Sequence, residues 1–169
     1  MCDSFQLEIV IQYIDANTHV KNSLVEHSFL VVGFHYASMV EIPAEFHDLF
    51  EKQTFAHFAT LLPDGAPHVA PVWIDYDSDR NRILVNTERE RRKEKNVRND
   101  PRVSVSMTDP DDPYRMLSVH GRVDTRTTDG ARDHIDELAH RYLDQVEYPN
   151  PIETERIILE ITPEQILTF

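Results

Sequence analysis

Glycine is scarce in this chain. Four residues in 169, Gly33, Gly65, Gly121 and Gly130, are too few and too scattered for the fingerprint of a Rossmann dinucleotide site or for a phosphate-cradling glycine loop. The single cysteine, Cys2, has no internal partner, so nothing implies an oxidising compartment and no catalytic thiol stands in the main body. Long apolar runs are missing as well. The longest, Phe29-Leu30-Val31-Val32-Gly33-Phe34, falls far short of the roughly 20 residues that span a bilayer, and the N-terminus lacks the cationic start of a secretion signal. The expectation is a cytoplasmic protein with no membrane contact. No nucleophile-elbow serine motif occurs. His134 and His140 fall on different faces of one helix, and His57 and His68 merely occupy neighbouring strands, so no zinc site is expected.

Basic residues are in the minority, 17 against 30 acids, for a formal net charge of -13. Such a surface is expected of a soluble protein, and of an organism with a salty cytoplasm. Against that background Arg89, Arg91, Arg92, Lys93, Lys95, Arg98 and Arg102 crowd into one short stretch. The stretch comes directly after a strand-like run, Arg82 to Thr87, and reads as a helix until Asn99-Asp100-Pro101 stops it. A strand feeding the start of a basic helix suits a phosphate, because free N–H groups, the helix dipole and cationic side chains all favour negative charge. The competing reading is a solvated helix face, with Glu88, Glu90, Glu94 and Asp100 forming local pairs. Nucleic acid is not expected, since the chain is acidic and the stretch lacks interleaved aromatics for base stacking.

The length fits one domain, and 40% hydrophobic residues suffice for its core. Residues 1–38 read apart from the rest, with two strand-like stretches, Leu7 to Ile14 and Leu24 to Phe34, and no turn chemistry that clearly ties them to the remainder of the chain. They are expected to be an upstream extension or a mistaken start, the alternative being an extra hairpin packed on the domain. From residue 39 to 169 the pattern is regular. A short helix at Pro43 to Lys52 leads to a strand at Thr54 to Leu62, a tight turn at Pro63-Asp64-Gly65, and a second strand at Ala66 to Tyr76. Pro67 and Pro71 mark that strand as an edge or a bulge. Next come the strand at Arg82, the basic helix and an alternating strand from Arg102 to Thr108. A long strand from Tyr114 to Thr127 with a bulge at Gly121, a helix from Thr128 to Val146, and a last strand from Arg156 to Ile161 complete the pattern, with Thr162-Pro163-Glu164 as a turn. Six strands with short helices in the crossovers predict a mainly β, α+β architecture, a small antiparallel barrel.

With the usual side-chain machinery missing, a cofactor that carries its own chemistry becomes the natural expectation. Phe58-Ala59-Thr60-Leu61, Pro63-Asp64-Gly65-Ala66-Pro67-His68-Val69-Ala70-Pro71-Val72-Trp73 and Asn86-Thr87 stand in order before Arg91-Arg92-Lys93 and Asn96. Beyond them stand Asn99-Asp100-Pro101-Arg102-Val103, Tyr114-Arg115 and His120-Gly121-Arg122-Val123. As a set these motifs resemble the pyridoxamine 5'-phosphate oxidase-like split-barrel flavoproteins, and more narrowly the branch of deazaflavin (coenzyme F420)-dependent enzymes. The resemblance runs from about Ile42 to Thr162.

That resemblance implies an antiparallel split β-barrel and a homodimer holding FMN or F420 in a cleft at the subunit interface. The ring-binding strand corresponds to Val69, Ala70, Pro71, Val72 and Trp73, and the end of the next strand to Asn86 and Thr87. The phosphate-binding bases correspond to Arg91, Arg92 and Lys93, with Asn96 a turn further. Trp73 is open to a second reading, since a lone strand tryptophan is more often core. The expected activity is hydride transfer between the bound cofactor and a small organic substrate, with no metal and no assigned catalytic side chain; Tyr114 or a water is the candidate proton source. Two alternatives stand beside it. A true pyridoxamine 5'-phosphate oxidase would carry a C-terminal arginine and histidine segment, where this chain reads Ile161 to Phe169 without them, and a flavin-contacting glutamine where Met116 stands. A flavin-binding or carrier protein without turnover is the other.

Overall fold

The computed structural model describes residues 40–168. The strand-like stretches expected at Leu7 to Ile14 and Leu24 to Phe34, and the extension as a whole, lie outside the described residues. The architecture is one curled, wholly antiparallel seven-stranded sheet with short helices at its crossovers. In chain order the strands are β1 (Ala56–Leu61), β2 (Pro67–Val72), β3 (Asp75–Asp77), β4 (Arg82–Glu88), β5 (Arg102–Thr108), β6 (Met116–Thr127) and β7 (Arg156–Thr168), joined side by side as β2-β1-β5-β6-β7-β4-β3. The helices are α1 (Asp48–Glu51), entered through a 3-10 turn at Ala44–Phe46, α2 (Arg92–Asn99) and α3 (Ala131–Leu143). No helix among the described residues is long and apolar enough to cross a membrane.

Alternation decides which face turns inward. Val103, Val105 and Met107 on β5 face Gly121, Val119 and Leu117 on β6, and all are buried, while Arg102, Ser106 and Thr108 point out. The inward face joins Phe58, Ile74, Ile83, Val85, Leu159 and Ile161 with Leu49 and Phe50 of α1 in one apolar core. The turn at Gly65 forms as its residues require: φ is 84° there, the Gly65 N–H donates to the Leu62 carbonyl, and the Asp64 carboxylate accepts from Ala66 N–H. Proline-bearing β2 is an edge strand, as expected.

Seven strands stand where six were expected, and each departure has a local cause. The run from Ala66 to Tyr76 breaks at Trp73 and Ile74, where α3 captures the backbone. The Ile74 N–H donates to the Tyr142 hydroxyl, and Arg141 donates to the Ile74 carbonyl. The long strand begins at Met116 because Asp112 holds Tyr114 and Arg115 in a turn: its carboxylate accepts from Tyr114 N–H and its carbonyl from Arg115 N–H. Buried Asp109 anchors that loop to Lys52 and Arg115. Thr162-Pro163-Glu164 is no turn. β7 runs through it, because β6 bulges at His120/Gly121 and sets Gly121 opposite Pro163, so the missing proline N–H interrupts the ladder only where it is already offset. Any side chain larger than hydrogen at residue 121 would meet the Thr162 carbonyl oxygen at 2.4 Å.

Candidate functional site

The end of β2, the end of β4, the start of α2, one face of α3 and the segment before β7 enclose a cleft of about 240 Å³. Its apolar wall is built on Trp73, which stacks on Tyr142 at 5.1 Å between ring centroids and meets Tyr148 edge-on at 5.8 Å. With Ile135 and Leu138 these rings form a second small apolar cluster that seats α3 against the sheet. Trp73 is therefore packed against two of the protein's own aromatics and also lines the cleft.

The polar wall explains the basic stretch. Arg89 pairs with Glu155, Arg91 with Glu88, Lys95 with Glu90, Arg98 with Glu90 and Glu94, and Arg102 with Asp100. All but the long-range Arg89–Glu155 pair are the local pairs of the solvated-face reading. Among the described residues, the lysines and arginines without a carboxylate partner are Arg92, which is exposed, and Lys93, which is half-buried and lines the cleft. Burial lowers the Lys93 pKa from the ordinary lysine value, and repulsion from Arg91 and Arg156 adds to it. Lys93 sits in the first turn of α2, beside N–H groups that have no intrahelical acceptor. An ammonium half out of water, beside two guanidiniums and the positive end of a helix dipole, is an arrangement that an anion would stabilise.

Glu88 does not neutralise it, because its carboxylate is fully engaged. Oε2 accepts the N–H groups of Glu153 and Thr154, and Oε1 lies against Arg91 and Arg156. Burial pushes this carboxyl up, but the backbone donors and Arg91 outweigh it and hold it below its usual range. Arg156, itself buried, donates from Nε to the Asn86 side-chain oxygen at 2.7 Å and lies over the Tyr148 ring at 5.3 Å. Thr87 is buried in the same wall, and its hydroxyl makes no hydrogen bond to another described residue.

Of the residues nominated from sequence, Pro71, Val72, Trp73, Asn86, Thr87, Arg91 and Lys93 line this cleft together. Val69 and Ala70 stand further along β2 outside it, with Val69 56% exposed. Arg92 points to solvent. Asn96 is buried on the other side of α2, donating to the Thr60 hydroxyl at 2.9 Å, where it ties the helix to β1. Tyr114 is 85% exposed on its loop and is not part of the lining. Sequence reasoning missed Arg156, Glu88 and Tyr148. The available signal for Arg156 was a charge opening an otherwise apolar run, Ile157-Ile158-Leu159.

The family model for pyridoxamine 5'-phosphate oxidase matches residues 42–169. Among solved structures, an F420 reductase is similar at 30% identity and a TM-score of 0.66, over 75% of this chain and 98% of that one. A conserved hypothetical protein of Mycobacterium tuberculosis shares the fold at 22% identity and a TM-score of 0.56, over 78% of this chain and 86% of that one. General Stress Protein 26 of Bacillus anthracis does so at 20% identity and a TM-score of 0.54, over 72% and 88%. No curated protein matches the chain.

Proposed function

Because the chain belongs to the pyridoxamine 5'-phosphate oxidase family, with its split-barrel fold, we propose that the cleft binds FMN or the deazaflavin F420 and that the protein is an oxidoreductase. It moves a hydride between that cofactor and a small organic substrate. The observation that carries the reading is Lys93: a half-buried cation with no carboxylate partner among the described residues, at the start of a helix, in a cleft that also offers a free Thr87 hydroxyl. Both cofactors present a phosphate to such a site, and the similarity to an F420 reductase favours the deazaflavin.

The residues fit that group in a definite way. Lys93, Thr87 and the first N–H groups of α2 would hold the phosphate, with Arg91 and Arg156 beside it. Pro71, Val72 and Trp73 would form the apolar surface for a planar ring, with Tyr142 and Tyr148 packed against Trp73. The bound ring supplies the redox chemistry, while the protein orients it and sets its polar surroundings.

The reading includes a homodimer. A cleft of about 240 Å³ lies below the roughly 300–1,000 Å³ typical of ligand sites, and Phe55, which lines it, is 55% exposed. A second copy laid over Phe55 and Val69 would close the site and cover both side chains. The test is to titrate the protein with FMN and with F420 and sediment it with whichever binds. Tight binding with about twice the monomer mass is expected, followed by cofactor reduction and its reoxidation by a substrate other than oxygen. Binding by a monomer overturns the shared site, reoxidation by oxygen alone leaves a carrier protein, and binding of neither cofactor overturns the reading altogether.

A further inference from the structure

Behind the cleft runs a buried polar chain that phosphate binding does not use. His134 on α3 is buried, with Nδ1 3.2 Å from the Asn86 amide nitrogen and Nε2 3.4 Å from an Asp75 carboxylate oxygen on β3. Asp75 also pairs with Arg141 at 2.9 Å. The Asn86 amide nitrogen donates to the Ala131 carbonyl at 2.7 Å, and its oxygen accepts from Arg156 Nε at 2.7 Å.

The polarity of the links through Asn86 is forced. The Ala131 carbonyl can only accept and the Arg156 guanidinium can only donate, so the Asn86 amide has one possible orientation between them. Its second amide hydrogen then faces His134 Nδ1, which must be an acceptor. The proton of the neutral imidazole is thereby assigned to Nε2, which lies 3.4 Å from the Asp75 carboxylate and makes no hydrogen bond to a described residue in this arrangement. Burial pushes the Asp75 carboxyl up, but His134 and Arg141 outweigh it and keep the group ionised, as this chain requires. At the far end Arg156 is turned one way only. Nε is tied back to Asn86, Tyr148 covers one face, Nη1 lies 3.4 Å from Glu88, and Nη2 makes no hydrogen bond to any described residue. Arg156 borders the same cleft as Lys93, so the two cations face one space.

We propose that Asp75, His134 and Asn86 are positioning residues for Arg156, and that the free guanidinium edge recognises an anionic oxygen, phosphate or carboxylate, of the ligand bound in the cleft. This rests on the ligand-site reading of the cleft above. His134 fixes the amide, the amide fixes Nε, and Nε aims Nη2. Leucine at 134 would fill the space but leave the Asn86 hydrogen unpaired, whereas asparagine places an oxygen near the position of Nδ1.

Trp73 is the chain's one tryptophan and lines the cleft, so its fluorescence reports binding of FMN or F420 to the full chain. His134→Leu and Arg156→Lys should each weaken the better-bound probe about tenfold, and His134→Asn should return it to within about threefold of the parent. In the unsubstituted protein, ¹⁵N spectra of His134 should show Nδ1 as the unprotonated, hydrogen-bond-accepting nitrogen and Nε2 as the one that carries the proton. That measurement decides the question even where His134→Leu fails to fold. A neutral Nδ1–H tautomer overturns the proposal, as does parental affinity in His134→Leu while Lys93→Ala still weakens binding. If Lys93→Ala and Arg156→Lys are both without effect, it is the ligand-site reading that fails.

Discussion

Removing the Lys93 ammonium separates a ligand site from a decorated helix. In the free protein this charge has no carboxylate partner among the described residues and is pushed toward neutrality by burial, Arg91 and Arg156. Lys93→Ala therefore breaks no ion pair, and the melting temperature of the free protein should hold or rise. With a phosphate bound the sign reverses. Loss of one charge-assisted hydrogen bond at a partly buried site is worth about 1.5–3 kcal/mol, which is about 10- to 150-fold in Kd. Arg92→Ala is the matched control: it removes the same charge one residue away, on an exposed side chain outside the lining. At physiological salt, charges beyond about 8 Å are largely screened, so Arg92→Ala should change Kd by no more than about twofold. The assay is equilibrium titration with FMN and F420, monitored by Trp73 fluorescence and repeated across alkaline pH. The free protein has a depressed Lys93 pKa and a bound anion raises it, so binding takes up a proton there. Affinity should fall as pH climbs from the depressed pKa of the free protein toward the raised one of the complex, and Lys93→Ala should abolish that slope. Equal losses at 92 and 93, or none at either, would return the whole stretch to a solvated face.

Gly121→Ala should lose about 2–3 kcal/mol in urea unfolding, because the new Cβ meets a backbone oxygen that cannot swing aside; a loss under about 0.5 kcal/mol would mean that the β6 bulge relaxes freely. The Asp109 carboxylate is held well below its usual 3.8 by the Asp111 N–H, then Lys52 and Arg115, so its contribution is present above that value and lost as pH falls beneath it. Denaturation midpoints measured down through acid pH should fall more steeply for the parent than for Asp109→Asn, and parallel curves would contradict the sign. A chain beginning at Met39 retains the whole of the family match, so it should bind cofactor with the affinity of the full chain. Aggregation with loss of binding would make residues 1–38 part of the working structure.

Where structure arises from neighbours in sequence, it could be read. β5 alternates cleanly enough to be placed end to end, and the two prolines of β2 marked its edge position. What escaped depends on groups distant in the chain. Ile74 leaves the ladder because Tyr142 and Arg141 take its N–H and carbonyl, and β7 survives Pro163 because Gly121 yields opposite it. The site divides along the same line. Asn86, Thr87, Arg91 and Lys93 are consecutive or nearly so, and motif order gathered them. Arg92 and Asn96 were swept in with them, but successive helical residues diverge by about 100°, so a run of bases cannot all face one cleft. Arg156 reaches the cleft by pairing across β4 with Asn86 and Glu88, a contact that spacing does not encode.

The charge balance gives a reason for the form of this cleft. A chain of net charge -13 repels an anionic ligand at long range, so attraction has to be built locally, within a Debye length of about 8 Å. Adding bases alone would not suffice where Glu88, Glu90, Glu94 and Glu155 lie among them, since each would draw a base into a neutral pair. The fold meets this by occupying the carboxylates first. Glu94 caps the Glu90 N–H and faces Arg98 and Arg126; Glu88 is filled by two backbone donors and two arginines. With these acids engaged, Lys93 is left without a carboxylate partner among the described residues, in the wall where the proposed phosphate would bind. The acidic residues between the bases, which made the stretch look self-neutralising in sequence, are what leaves that single ammonium available.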